Sequence, residues 1–592
     1  MYEEGMDMYY IPSSDFHGSE YMHPHFKCRE FLSGFDGSDG DMLVSREEAL
    51  LWADSRYYLQ AEDQLRGSGI KLMKSQDEGV PSVIEYIKEV AGDFLRTHED
   101  RFVIGFDGRV TPAAFALELE DAFSEIMESD DAQPDEEYGR LQIKSDEDLV
   151  GSIWPDKPEL SQHEIFELPI TSAGVSFEEK LAQVRYAITE KDADYLLLSD
   201  LMEIAWLFNL RGSDIDFTPV FYAYALISRD AADLYLIRKN ALKNVKSGVG
   251  IRDYDSIYED LAKIPDGSKV WMDLRSANYE LYTALHKGVA VYDAPTPAGT
   301  AKMIKNADEI EGSKRAHIRD GAAVTRFIKW IKEAVNMGDV QTEISASEHL
   351  ESLRTELDGF LELSFPTIAG YGPNAAIVHY EATADTNAEI KPEGFFLVDS
   401  GAQYIDGTTD ITRTIAMGPL TQEMMDDYTY ILKSHIAFAR LKYREEMSGE
   451  ETNALLRKPM EDAGLGFKHG IGHGVGHVLG VHEDAAVIKD LNKESAGIKA
   501  GMIMSDEPGF YKEGEFGIRI ENLILFKDDD EGGIINEPLT CVPYEREAIN
   551  KKLLTEDEIE WLDNYHAWVR ETLTHMLDNE TAVWLKTVTE PL

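Results

Sequence analysis

The sequence predicts an α/β (α+β) protein of several domains: two like-folded α/β units, then a third unit built differently. Three observations carry this. The chain has 592 residues, and at roughly 100–200 residues per domain that length makes about three or four folding units. Strand–turn patterns recur with like residues in the first and second stretches. After Pro295-Thr296-Pro297-Ala298-Gly299, a rigid and turn-prone connector, the pattern changes to one long helix followed by short strands and many glycines.

In the first unit Met8-Tyr9-Tyr10-Ile11 reads as a buried strand closed by the turn Pro12-Ser13-Ser14-Asp15. Met42-Leu43-Val44 and Ala49-Leu50-Leu51-Trp52 form a hairpin across Ser45-Arg46-Glu47-Glu48. Ser82 to Val90 has helical spacing, and Phe102-Val103-Ile104-Gly105-Phe106 is a strand with a helix after it. The acidic run Glu128 to Glu137 repels itself and is expected in an exposed loop. The second unit repeats the order: a helix around Phe177 to Ile188, the strand Tyr195-Leu196-Leu197-Leu198 and the turn Ser199-Asp200. Ser14-Asp15 followed by Phe31 to Asp39 matches Ser199-Asp200 followed by Trp206 to Asp214, a diverged internal duplication. In the third unit an amphipathic helix runs from about Ile310 to Val335, with Ile318, Ala322, Phe327, Ile328 and Ile331 on one face. A last helix, Glu556 to Leu577, packs on this unit or on a partner subunit. The expected domains are 1–157, 158–305 and 306–592, the last carrying a C-terminal extension from about 541.

With 43% hydrophobic and 10% aromatic residues the chain can bury a large core. Its 57 basic and 111 acidic residues leave a net charge of −54, a field that repels phosphate backbones and anionic lipid heads. Nucleic acid and membrane surfaces are therefore not expected partners. The two cysteines, Cys28 and Cys541, make no disulfide framework and suit a reducing cytoplasm. No signal-like start and no run of about 18 apolar residues is found.

The polar chemistry gathers in the final third. Asp399 closes the apolar strand Phe395-Phe396-Leu397-Val398, where a carboxylate is costly unless paired or bound to a cation. Asp410 follows after a stretch that suits a hairpin aiming both carboxylates at one point. Glu507 stands at a strand end before Pro508-Gly509, and Glu521 sits in the strand-like Gly517-Ile518-Arg519-Ile520-Glu521-Asn522, sharing a face with Arg519. With His473 these make a mostly hard, bridging set that suits a pair of divalent ions such as manganese better than one tetrahedral zinc.

His469, His473 and His477 stand four apart, as on a zinc-binding helix, but the alternating glycines make this stretch a strand or a close-approach loop. His469 and His473 can then line one cavity, with His482 following on Val478-Leu479-Gly480-Val481; His477 fits an exposed position equally well. His435 and His566 read as structural. His379 follows Ala375-Ala376-Ile377-Val378, read as an apolar strand end.

Over nearly its whole length the sequence resembles the Xaa-Pro aminopeptidases (aminopeptidase P) of the pita-bread metallopeptidase group. Val398 to Thr414 is similar to that family's signature for two aspartate ligands, Gly472-His473-Gly474-Val475-Gly476 to its histidine motif, and Asp506-Glu507-Pro508-Gly509 and Gly517 to Asn522 to its two glutamate motifs. Ile11 to Asp15, Phe31 to Phe35 and Ala205 to Gly212 resemble the three-domain cytosolic branch. The resemblance implies two creatinase-like α/β domains before a pita-bread catalytic domain with a C-terminal helical extension, two manganese ions per subunit and a homodimer. It carries substrate-binding roles to His379, His469, His482 and Arg56, of which His379 and His482, with Glu507, are the expected catalytic residues. Asp484-Ala485 departs from the Gly-Pro that usually follows this His-Glu pair. From the same resemblance, the family's first helix is expected to be missing at the start of the sequence.

The mechanism expected from the ligand set is attack by a hydroxide bridging two ions about 3.5–4 Å apart, held between Asp410 and Glu521. Asp399 completes one shell, and His473 with Glu507 the other. Glu507 moves the proton to the departing proline nitrogen, and His379 and His482 stabilise the charge growing at the carbonyl. The expected substrates are peptides with a free N-terminus and proline in second position. A prolidase restricted to dipeptides, a creatinase-like hydrolase without metals and a non-catalytic peptide-binding module are the alternatives; the full ligand set argues against the last two.

Overall fold

The computed structural model describes all residues except 76, 130–139, 161, 238–247, 445–446, 484–496 and 530. Most of the acidic run and Asp484-Ala485 thus lie outside the described residues. The chain divides into two compact units: Met1–Glu167, Ser176–Asp216 and Val220–Thr300 in the first, and Leu168–Val175, Phe217–Pro219 and Ala301–Leu592 in the second.

The first unit holds two six-stranded sheets. One contains β1 (Met8–Ile11), β2 (Asp41–Ser45), β3 (Ala49–Ala53), β4 (Lys71–Lys74), β5 (Phe102–Gly105) and β6 (Leu141–Lys144), in the order β4-β3-β2-β1-β5-β6. The other contains β7 (Tyr195–Leu198), β8 (Ala223–Ser228), β9 (Ala232–Leu236), β10 (Gly250–Asp253), β11 (Lys269–Met272) and β12 (Ala290–Asp293), in the order β10-β9-β8-β7-β11-β12. Parallel and antiparallel pairings fall at the same places in both: β1-β2 and β2-β3 antiparallel, β3-β4, β1-β5 and β5-β6 parallel, and likewise through the second sheet. The duplication read from the turns is therefore present in the topology. The turn acids repeat as well: Asp15 Oδ1 accepts from the backbone N–H groups of His17 and Ser19, and Asp200 Oδ1 from those of Met202 and Glu203, which caps the helix Leu201–Phe208.

The helix starts follow from capping. Ser82 and Glu85 form a capping box at α1 (Val83–Thr97), as Ser176 and Glu179 do at α2 (Phe177–Glu190). In the second unit Asn306 and Glu309 start α3 (Ala307–Met337), which ends at Gly338 in the left-handed conformation. The predicted amphipathic face of α3, through Phe327, Ile328 and Ile331, is buried against Phe396, Val398 and Ile415 of the strands that carry the candidate aspartates. The second unit also holds α4 (Glu343–Thr355), whose Arg354 forks onto Asp320 of α3 at 2.7 and 3.0 Å.

Its sheets are short: β13 (Phe360–Leu363) with β16 (Ala402–Tyr404) and β17 (Gly407–Thr408); β14 (Ile368–Tyr371) with β15 (Phe395–Ser400) and β18 (Ile411–Ala416); β19 (Ile503–Asp506) with β22 (Asn522–Asp528) and β23 (Ile534–Pro538); and the pair β20 (Gly509–Lys512) and β21 (Phe516–Arg519). The last helical segment forms α5 (Glu556–Leu573), followed by α6 (Asn579–Val588). Leu562, Tyr565, Val569 and Leu573 join the apolar cluster of Phe395, Ile518 and Ile520, so α5 packs on its own chain's third domain.

Two expectations are corrected. Ala375 to Val378 is not a strand end: Gly372–Ala376 forms a 3-10 helix with Pro373 in its first turn, and His379 follows in a turn. The backbone of this turn lies so close to β21 that a Cβ on Gly517 would stand 1.8 Å from Ala375 O. The run 517–522 is not one strand, since β21 ends at Arg519 and β22 begins at Asn522.

Asp320 also accepts from Tyr404 OH at 2.9 Å and Thr409 Oγ1 at 3.0 Å, so it braces the hairpin that leads into Asp410 as well. Burial alone would raise its carboxyl, and Arg354 overrides this and holds it below the ordinary range. Arg354→Leu strands this buried charge and should lower stability by about 3–5 kcal/mol, read as a fall in the urea midpoint; an unchanged midpoint would show that the pair is dispensable.

Candidate metal centre

Four carboxylates and an imidazole meet where the short strands of the second unit end. Asp399 lies opposite Thr412 in the β15-β18 ladder, and Asp410 enters immediately before β18. The residues between them fold back as β16 and β17. Glu507 leaves the end of β19, and Glu521 occupies the break between β21 and β22. One ligand atom from each of Asp410, His473 and Glu521 lies within 4.8 Å of the others. His473 Nε2 is 3.4 Å from Asp410 Oδ2 and 3.6 Å from Glu507 Oε1.

The histidine is delivered by a loop, not a strand. His473 and Ser505 bond through their backbones, Ser505 N donating to His473 O at 2.8 Å, while Val475 N donates to Ile503 O at 3.1 Å. A Cβ at Gly472 would stand 2.1 Å from Ser505 O, so only glycine permits this approach. His473 Nδ1 is 2.8 Å from Gly474 O, which places the proton there and leaves Nε2 facing the carboxylates. His477 leaves the site: it is buried, with Nε2 3.0 Å from Ser172 O and Nδ1 3.3 Å from Ser313 Oγ, a structural position rather than an exposed one.

Three of the carboxylates are held by one oxygen. Arg519 Nη2 and Nε donate to Asp399 Oδ2 at 2.7 and 3.2 Å. Thr412 Oγ1 donates to Glu521 Oε2 at 2.7 Å, and Ser505 Oγ to Glu507 Oε1 at 3.3 Å. Asp399 Oδ1 and Asp410 Oδ1 are buried without a hydrogen-bond partner, a costly state for carboxylate oxygens that a cation would relieve. This donor set fits divalent ions.

The electrostatics agree. Burial, with the charge of Asp410 adding to it and Arg519 opposing it, pushes the Asp399 carboxyl up to about 6. Burial and the neighbouring charges of Asp410, Asp399 and Glu507 push Glu521 well above the ordinary range, and burial raises Glu507 too. Burial would lower His473, but its bond to Asp410 and the charge of Glu507 carry the imidazolium up to about 9. Without a cation these groups hold their protons more tightly than in water, His473 among them.

Arg519 links His469 and the backbone before His379 to this cluster. Its Nη1 donates to Tyr511 OH at 2.7 Å, and Tyr511 OH is 2.8 Å from His469 Nε2. Its Nη2 reaches Val378 O at 3.3 Å, beside His379. The His482 ring meets that of His473 edge-on, centroids 4.3 Å apart. Arg56 lies in the first unit, where it pairs with Asp54 at 2.6 Å and Asp39 at 3.1 Å. Sequence reasoning put Arg519 near the site without a role and missed Tyr511 and Thr412. The available signal was an arginine inside the apolar strand Gly517-Ile518-Arg519-Ile520, which demands a buried acid. His435 and His566 are buried, as the structural reading expected.

Residues 311–528 match the model of metallopeptidase family M24, and 536–592 that family's C-terminal region. Residues 1–141 and 156–309 each match a creatinase/prolidase N-terminal domain. A probable Xaa-Pro aminopeptidase P of Coccidioides posadasii is 37% identical, covering 100% of this chain and 98% of its own. The crystal structure of an X-prolyl aminopeptidase from Caenorhabditis elegans, described as a cytosolic enzyme with a di-nuclear active site, superimposes with a TM-score of 0.90 at 30% identity, covering 99% of this chain and 95% of that one. An Xaa-Pro dipeptidase from Bacillus anthracis matches 62% of this chain with a TM-score of 0.51 at 26% identity. With creatinase-type domains ahead of a pita-bread domain, and likeness sustained from end to end, the chain belongs to the Xaa-Pro aminopeptidases of metallopeptidase family M24.

Proposed function

We propose that this enzyme releases the first residue from peptides with a free amino end and proline in second position. The observation that carries the reading is the convergence of Asp399, Asp410, His473, Glu507 and Glu521 with two buried carboxylate oxygens unpartnered. Two divalent cations held there, manganese being the expected pair, would supply a shared hydroxide at neutral pH and polarise the scissile carbonyl. Asp410 and Glu521 would hold the cations together with Asp399, His473 and Glu507.

The chain's own residues do the rest. Glu507, raised by burial, is suited to take a proton and pass it to the departing imino nitrogen. His482, beside His473, and His379 are assigned to the carbonyl oxygen and the substituents of the tetrahedral carbon. His469 binds substrate, oriented by Tyr511 and Arg519. A role for Arg56 in substrate binding rests on sequence resemblance alone. The bond before proline is a tertiary amide without N–H, so a dedicated site is needed for it.

Likeness from end to end to relatives named as Xaa-Pro aminopeptidases supports an aminopeptidase over a prolidase. A cytoplasmic location and a homodimer are part of the proposal. The location is supported by likeness to the cytosolic C. elegans enzyme and by the free thiols of Cys28 and Cys541, and the homodimer by resemblance to the three-domain branch. No described helix is long and apolar enough to cross a membrane.

Replacing His473 by Ala, or removing metal with a chelator, should abolish release of arginine from Arg-Pro-Pro while circular dichroism stays nearly unchanged; undiminished turnover would refute the metal mechanism. A tripeptide should be cleaved in clear preference to an Xaa-Pro dipeptide, and the reverse order would favour the prolidase reading. Ligation needs neutral His473 and ionised carboxylates, whereas in the metal-free site His473, raised to about 9, carries an extra proton at neutral pH. Adding manganese chloride to metal-free protein in weak buffer should therefore acidify the solution, and affinity should fall as pH drops. A titration with no proton release would contradict the assigned ligands.

A further inference from the structure

We propose that Tyr544, which comes from the C-terminal region and lies outside every catalytic motif, is a positioning residue that sets the affinity of the metal centre. The inference rests on the metal reading above and concerns residues that do not themselves touch the ions.

Asp506 and Asn522 are direct partners in the β19-β22 ladder, and each adjoins a proposed ligand, Glu507 or Glu521. Their side chains are joined through Tyr544. Asn522 Nδ2 donates to Tyr544 OH at 2.8 Å, and Tyr544 OH lies 2.8 Å from His435 Nε2. His435 Nδ1 lies 3.1 Å from Asp506 Oδ1 and 3.2 Å from Asp506 O. The far end is anchored as well: Arg413 Nη2 donates to Asn522 Oδ1 at 2.9 Å, and Arg413 Nη1 to Glu521 O at 2.7 Å and Thr412 O at 2.9 Å. Thr412 is the residue that holds the Glu521 carboxylate.

Donors and acceptors along this line are consistent with a single direction. Arg413 gives to Asn522, Asn522 to Tyr544, Tyr544 to His435, and His435, with its proton on Nδ1, to the backbone carbonyl of Asp506. A cation heads the relay, and it ends on the backbone of Asp506, whose carboxylate lies beside the His435 ring. His435 and Asp506 are fully buried, with Tyr544, Asn522 and Arg413 nearly so, so water cannot replace a lost link. The C-terminal segment also takes Arg413 in hand, through Val542 O at 2.8 Å and Pro543 O at 3.1 Å, with the guanidinium 4.7 Å from the Tyr544 ring centroid. The hydroxyl of Tyr544 thus ties together the two strand ends that present Glu507 and Glu521. Partners that orient metal ligands in this way are typically worth about ten- to a hundred-fold in metal affinity.

The test is titration of the metal-free full-length protein with Mn2+ alone, following free ion by electron paramagnetic resonance. Tyr544→Phe should keep the stoichiometry and lose about ten-fold or more in affinity. Tyr428→Phe is the control: its hydroxyl accepts from Glu545 N at 3.1 Å within the same apolar cluster and is no member of the relay, and it should bind as the wild type does. Wild-type affinity in a folded Tyr544→Phe protein overturns the proposal, as does an equal loss in Tyr428→Phe. Should Tyr544→Phe fail to fold, His435→Gln is titrated instead, with the same loss expected and wild-type affinity again overturning it. A wild-type protein that takes up no Mn2+ defeats the metal reading itself, a result distinct from either.

Discussion

The second unit is organised around negative charge that it buries and only partly neutralises. Asp399, Asp410 and Glu521 are all less than a tenth exposed, and the fixed cation beside them, Arg519, is committed to one oxygen of Asp399. A folded chain does not keep such groups in its interior without a compensating partner. Helix α3, the ladder of β15 with β18, and the glycine loop that brings His473 in all serve to hold the imbalance in one small volume. One oxygen each of Asp399 and Asp410 is left buried without a hydrogen-bond partner, a state that bound cations would relieve.

Around this centre three of the carboxylates are held at one oxygen, which leaves the second available. Asp399 has Arg519, Glu521 has Thr412, and Glu507 has Ser505. Glu483, next to His482, is pinned by the buried Lys302 and Lys305, and Asp320 braces the approach to Asp410 through Thr409. The C-terminal helices extend the same logic, since Tyr544 and Tyr565 close the far side of Arg413. Geometry fixed in this way, before any ion binds, spares the centre the entropy of ordering its ligands afterwards.

Much of this was legible in the sequence because its signals are local. An acid at the end of an apolar strand, a glycine at every second position before a histidine, and a turn repeated in two successive units each carry their meaning within a few residues. What stayed hidden depends on partners far away in the chain. The run Ala375 to Val378 reads as a strand by apolarity, yet Gly372 and Pro373 ahead of it and the close approach of Gly517 turn it into a 3-10 segment. His477 shares the spacing of His469 and His473 but is claimed by Ser172 and Ser313. Arg519 was visible as an arginine on a buried strand, while its role in joining Asp399 to Tyr511 needed three segments to be placed together.

The central claim is that the protein completes a buried anionic cage with two cations. X-ray data collected at the manganese absorption edge from crystals soaked in that ion test it most directly. Two anomalous peaks are predicted, both enclosed by Asp399, Asp410, His473, Glu507 and Glu521. Diffraction from well-soaked crystals with those side chains ordered and no anomalous signal among them would contradict it.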